Sequence, residues 1–150
     1  MLTPRYVLEP VRAALGGVIG LDPCTELDNP TGALRFVALP QDGMAIEWRA
    51  ASVYVNPPYG TAREPWVRRA IEVGQAGTPL ALLIPADTDT RLGQAVLRGA
   101  DAITFVNGRL GFGMARKNGR EWRSTHGSMI ATWGCDVSAL GELGPSFGML

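Results

Sequence analysis

The chain has 150 residues, with 14 basic and 14 acidic side chains, one His, two Cys, 19 Gly and 11 Pro. That length predicts one domain spanning 1–150, able to bury about 70% of its unfolded surface, and a 46% hydrophobic content excludes a disordered or collagen-like chain. Zero net charge argues against a protein that coats nucleic acid by bulk electrostatics, and no apolar run reaches the roughly 20 residues that span a bilayer. Met1, Leu2, Thr3, Pro4 and Arg5 do not open a basic segment followed by an apolar one, so the expectation is a soluble, cytoplasmic protein without membrane contact. Cys24 and Cys135 lack CxxC spacing and are expected to be thiols in a reducing compartment, with no metal site. The neutral sum conceals a segregation. Between Asn107 and His126 lie Arg109, Arg116, Lys117, Arg120 and Arg123 against Glu121 alone, which makes this window +4 and the remainder −4.

From the N-terminus onward, apolar runs bounded by turn formers alternate with helix-like stretches, the pattern of an α/β fold. Thr3-Pro4 opens a helix, Pro10 is expected to kink or restart it at a cost of about 3 kcal/mol, and Gly16-Gly17 ends it. A first strand, Val18 to Leu21, is expected to stop at Asp22-Pro23 because Pro disfavours a continuing central strand. Leu34 to Leu39 reads as the second and Ser52 to Val55 as the third, the latter ending abruptly at Asn56-Pro57-Pro58. Thr61 is the expected cap of a helix with Pro65 in its first turn and Val67, Ala70, Ile71 and Gly74 on one face. Leu80 to Ile84 is a fully apolar strand, covered on both faces. Thr88 or Asp89 caps a helix that Gly99 ends, and Ala102 to Val106 and Ser128 to Trp133 complete the strands. Met114 to Thr125 reads as a mobile, Arg-rich loop. The predicted architecture is a three-layer α/β domain with a mostly parallel sheet and an antiparallel C-terminal pair.

The chemistry concentrates in Val53-Tyr54-Val55-Asn56-Pro57-Pro58-Tyr59-Gly60. Ligands of open α/β sheets bind beyond the carboxyl ends of strands, where Asn56 to Tyr59 would sit. Two successive prolines fix φ and carry no N–H, leaving a rigid platform of acceptors. Asn56 adds a side-chain carbonyl and Tyr59 a face on which a planar base can stack. The set suits an exocyclic amino group on a flat ring.

This segment resembles the Asn/Asp-Pro-Pro-Tyr motif of the S-adenosylmethionine-dependent amino methyltransferases. The chain as a whole resembles the small phage-type DNA N-6-adenine-methyltransferases, called Dam-like. The likeness includes Thr3-Pro4, Leu21-Asp22-Pro23, Asp42-Gly43, Trp48, Asn56 to Gly60, Thr88-Asp89-Thr90, Gly108-Arg109 with Phe112, and Gly127-Ser128. It implies a minimal Rossmann-like methyltransferase domain in which Asn56 and the Pro57 carbonyl accept from the target amine, Pro58 stiffens the turn and Tyr59 stacks on a base flipped out of the helix. It also implies S-adenosyl-L-methionine as cofactor, with contacts from Thr3, Pro4, Asp22, Pro23 and Asp42. Thr3 would meet the methionine part, and Thr88 to Thr90 would border the pocket. Asp22 would meet either the ammonium or the ribose, or else stand at the second strand's ribose position, with Asp42 then near the cofactor's adenine. The sequence departs from the pattern in one respect, because Cys24-Thr25-Glu26 follows where Gly-x-Gly is usual. Only 34 positions separate Asp22 from Asn56, so one crossover is expected to be replaced by short strands and turns.

DNA is the expected partner. Its phosphates would meet Arg109, Arg116, Lys117, Arg120 and Arg123, with Trp122 or Phe112 beside a displaced base. With no room for a separate reader, sequence specificity is modest, comes from this loop or depends on a second copy of the chain as a homodimer. Two alternatives stand beside this expectation: amino methylation of RNA or of a protein Gln amide, and a non-catalytic module that binds cofactor or nucleic acid.

Overall fold

The computed structural model describes residues 2–115 and 121–149. From the N-terminus the elements are α1 (Arg5–Ala14), β1 (Leu21–Thr25), β2 (Arg35–Ala38), β3 (Val53–Val55), α2 (Arg63–Gln75), β4 (Leu80–Pro85), α3 (Arg91–Gly99), β5 (Ala102–Phe105), β6 (Gly111–Ala115), β7 (Glu121–Arg123), β8 (Ser128–Trp133) and β9 (Ser146–Gly148). Seven strands form one sheet in the order β2-β1-β3-β4-β8-β5-β9, while β6 and β7 pair as a separate antiparallel ribbon. Strands β1 to β4 are mutually parallel, and β8 and β9 run against their neighbours. This is the expected α/β sheet, mostly parallel with antiparallel strands from the C-terminal part.

Alternation along the strands divides the core in two. Tyr54, Ala81, Leu83 and Ile130 face one way, onto Val7, Leu8, Val11 and Ala14 of α1 and Leu140 of a 3-10 turn. Val53, Val55, Leu80, Leu82 and Ala131 face the other way, onto Val67 and Ala70 of α2 and Val96 of α3. Successive strand residues point to opposite faces, so fully apolar strands such as β4 serve both layers at once.

Several local expectations are corrected. Helix α1 is continuous through Pro10, because four buried residues on its apolar face hold it against the sheet. Strand β1 starts later than expected and runs through Pro23, where its pairing with β2 shifts register between Asp22 and Thr25. A bulge is where a strand tolerates a missing donor. Ala62, not Thr61, precedes α2, after a 3-10 turn over Gly60–Ala62. The cap of α3 is Thr90, whose Oγ1 accepts from the Gly93 N–H at 3.0 Å. Both crossovers on the β1/β2 side lack an α-helix, not one: residues 26–34 join β1 to β2, and the second carries only a 3-10 turn at Gly43–Ala45. The expected Arg-rich loop from Met114 to Thr125 takes in the end of β6 and all of β7, and β9 pairs with β5 where no further strand was expected.

The order β2-β1-β3 fixes the place for a ligand. From β1 the chain moves outward to β2 and then returns to the other side of β1 as β3, a topological switch point. Strands β1 and β3 share only the register Leu21↔Val53, so their carboxyl ends part beyond it and leave a crevice.

Candidate active site

The crevice holds a cavity of about 870 Å³, within the range that accommodates a sizeable small molecule. The end of β1 and the residues after it form one wall, the end of β2 and the residues after it the second, and Asn56 to Tyr59 with Trp66 the third. Its described lining includes the acids Glu26, Asp28 and Asp42 and no Lys or Arg. Leu27, Leu39 and Trp66 supply apolar surface. The interior therefore suits a ligand with a flat or apolar body and positive charge.

On the other side of the same tetrapeptide lies a cleft of about 10 Å³, roughly the room of one water. It is lined by Asn56, Pro57, Tyr59, Arg63, Pro85, Ser124 and Ser128 among others. Asn56, Pro57 and Tyr59 border both spaces, so they form the partition between an acidic cavity and a cleft that carries a cation. The Arg63 guanidinium lies 5.5 Å from the centroid of the Tyr59 ring, a cation–π contact on a half-exposed aromatic. Burial pushes the Tyr59 phenol up and Arg63 opposes it.

Asn56 is held by its amide nitrogen. Its Nδ2 donates to Thr3 Oγ1 at 3.3 Å, and Thr3 Oγ1 lies 2.5 Å from Tyr54 Oη, one hydroxyl donating to the other. Tyr54 is buried in the sheet, and burial pushes its phenol far up, so it stays protonated. The N-terminal residues thus reach the site: Pro4 starts α1, its carbonyl accepting from the Val7 and Leu8 N–H groups.

The expected cofactor residues divide. Pro23 and Asp42 line the large cavity. Asp42 also caps the following 3-10 turn by accepting from the Met44 N–H at 2.9 Å. Thr3, Pro4 and Asp22 are not on the cavity wall. Asp22 is 1% exposed; its Oδ2 accepts from Thr31 Oγ1 at 2.8 Å and its Oδ1 from the Cys24 N–H at 3.1 Å. Burial pushes its carboxyl up to about 6 although hydrogen bonds from Thr31, Cys24 and Thr25 oppose the rise. In this fold Asp22 shapes the β1 turn from inside, where its carboxylate supports the backbone that lines the cavity. Thr88 to Thr90 belong to the start of α3 and do not border either space.

Cys24 lines the cavity with its thiol pushed up to about 11, by burial first and then by Asp22. It is a packed thiol, as expected, rather than a nucleophile. The missing Gly-x-Gly has a structural counterpart in Gly43. A Cβ there would collide with the Pro23 carbonyl oxygen, so the close approach comes from the loop after β2 instead of the turn after β1.

Of the expected nucleic-acid residues, Arg109 is exposed ahead of β6 and its guanidinium lies beside Gly127. Arg116, Lys117 and Arg120 lie outside the described residues, as do the side chains of Trp122 and Arg123 on β7. Sequence reasoning missed Glu26, Asp28, Leu39 and Trp66 in the cavity and Arg63 in the cleft. For Arg63 a signal was present, since it stands four positions after Tyr59 at the start of the helix that follows the motif.

Over residues 1–137 the chain matches the family of the DNA N-6-adenine-methyltransferases (Dam). It belongs to that family. No match is found among curated proteins or among solved structures. Membership of the Dam family makes the reaction, in general terms, methylation of adenine N6 in DNA. The chain thereby joins a methyltransferase family to a fold whose crevice lies at the switch point beside Asn56-Pro57-Pro58-Tyr59.

Proposed function

We propose that this Dam-family chain transfers a methyl group from S-adenosyl-L-methionine to N6 of an adenine flipped out of DNA, with the cofactor in the large cavity and the base at the cleft. The observation that carries this reading is the partition: Asn56, Pro57 and Tyr59 face both spaces, where donor and acceptor must meet. The cavity's size, three carboxylates and apolar walls fit a ligand carrying a sulfonium, an ammonium and a purine. When bound, the cofactor supplies a methyl group on a good leaving group, so no covalent enzyme intermediate is needed.

What remains for the protein is positioning and electrostatics. Asn56 Oδ1 and the Pro57 carbonyl accept the two amino hydrogens and turn the nitrogen lone pair toward the partition. Tyr59 stacks on the base, and Arg63 leaves the ring or slides toward a phosphate as the base enters. The cleft has room for about one water, so a base enters only as its walls separate. Arg63 puts a cation at the cleft, away from the acidic cavity, and the sequence carries a +4 window at 107–126, which together favour a nucleic acid over a protein amide as acceptor.

Incubation of DNA, RNA and protein with labelled S-adenosylmethionine, followed by nucleoside and amino-acid analysis, tests the reading. Label is expected in N6-methyladenine of DNA. Label confined to RNA or to Gln would redirect the substrate, and no transfer with no cofactor binding by calorimetry would leave a non-catalytic module.

A further inference from the structure

We infer that Thr3 and Tyr54 are positioning residues that hold the Asn56 amide in the one orientation able to accept from a target amine. This rests on the proposed role of Asn56. A side-chain amide has a donor end and an acceptor end, and rotating it by half a turn exchanges them. For Oδ1 to face an incoming N–H, Nδ2 must have an acceptor elsewhere.

Thr3 Oγ1 is that acceptor, at 3.3 Å. Its hydroxyl is in turn engaged by Tyr54 Oη at 2.5 Å. A threonine hydroxyl has two lone pairs and one proton, so whichever hydroxyl donates in the Thr3–Tyr54 bond, a lone pair remains for Asn56. Tyr54 is 1% exposed within β3, two residues before Asn56, and its ring position is set by the core. Thr3 comes from 53 positions away in sequence, carried in by α1, whose Val7 and Val11 are fully buried. The helix on one face of the sheet thus delivers a hydroxyl to a loop at the carboxyl end of a central strand. With Thr3 donating its proton to Tyr54 Oη, an inverted amide sets Oδ1 against a lone pair of Thr3 Oγ1 and turns the Nδ2 donors toward the donors of the substrate.

The experiment compares Thr3→Val, which keeps shape and removes the hydroxyl, Thr3→Ser, which keeps the hydroxyl, and Tyr54→Phe. For each, kcat and KM for methyl transfer to adenine-containing DNA are measured, with cofactor affinity by calorimetry and hydrogen exchange of the Asn56 side-chain amide by NMR. Thr3→Val is expected to lower kcat roughly tenfold, the scale of one lost hydrogen bond, and Tyr54→Phe about threefold. DNA KM and cofactor affinity should stay within about twofold, and Thr3→Ser should restore wild-type turnover. Exchange of the Asn56 amide protons should quicken in Thr3→Val. Wild-type turnover in Thr3→Val, or Thr3→Ser as impaired as Thr3→Val, overturns the inference. So does a Thr3→Val defect confined to cofactor affinity, which would make Thr3 a cofactor contact. If the wild-type protein itself transfers no methyl to adenine, the functional reading fails separately, and amide exchange decides: rates equal in wild type and Thr3→Val overturn the positioning role, and faster exchange in the variant supports it.

Discussion

At the scale of single residues, two buried or half-buried polar groups carry opposite burdens. Asn56 has one end satisfied by Thr3 and, among the described residues, no hydrogen-bond partner at the other end, which borders the partition, so its removal should act on chemistry with little effect on stability. Asn56→Ala is expected to lower methyl transfer to DNA by at least about 100-fold while the melting temperature moves by only a few degrees, read by labelled-methyl incorporation and calorimetry. Asp22 is the reverse case. Its folded pKa is raised from 3.8 to about 6, so the folded state holds a proton that the unfolded state releases. Stability from this group is therefore fully present below about pH 4 and is lost as pH rises through about 6. Ionising the buried carboxyl at neutral pH costs the folded state about 3 kcal/mol at most. Urea unfolding at pH 4 and pH 7 should show wild type losing stability relative to Asp22→Asn across that interval; a constant difference between the two proteins would refute the buried carboxyl.

At the scale of elements, close packing outweighs intrinsic propensity. Gly74 lies inside α2, where alanine is ordinarily favoured by about 1 kcal/mol. A Cβ at this position would run into the Trp133 ring, which is fully buried and fixed by its Nε1–H donating to the Gly99 carbonyl at 2.8 Å. Overpacking of a tight core costs about 1–3 kcal/mol, so Gly74→Ala should be destabilising on balance, visible as a lower urea midpoint with an unchanged slope. The same reasoning explains why the helical period of Val67, Ala70, Ile71 and Gly74 is legible in the sequence while the caps are not. The period follows from burying one face, whereas Thr90 rather than Thr88 or Asp89 caps α3 because its Oγ1 alone meets the Gly93 N–H. Pro23 inside β1 and Pro10 inside α1 run against local expectation for a related reason. The local cost of a proline says nothing of the register shift beside Pro23 or the buried face of α1.

At the scale of the whole molecule, the charge is segregated. Acids line the cavity proposed for the cofactor, Arg63 borders the cleft, and the +4 window is the stretch of sequence that contains β6 and β7. Neutralising Arg116, Lys117, Arg120 and Arg123 together should weaken DNA binding and reduce the slope of log affinity against log salt by up to about 3–4. A slope equal to that of the wild type in a fluorescence titration would remove this window from the interface.

The order of residues alone suffices for the α/β class, the strand that ends in Asn56-Pro57-Pro58-Tyr59, the segregation of charge and the family, because apolar periodicity and ordered motifs are local properties of a chain. It takes the folded arrangement to establish that Thr3, just ahead of α1, meets Asn56, that Asp22 turns inward to Thr31, and that Gly43 supplies the close approach expected after β1. Each of these depends on the order β2-β1-β3, which brings together segments separated by tens of residues. Spacing along a chain carries no record of which strand will stand between two others. The zero net charge has the same character: it acquires meaning once the fold sets an acidic cavity and a cationic cleft on opposite sides of one tetrapeptide.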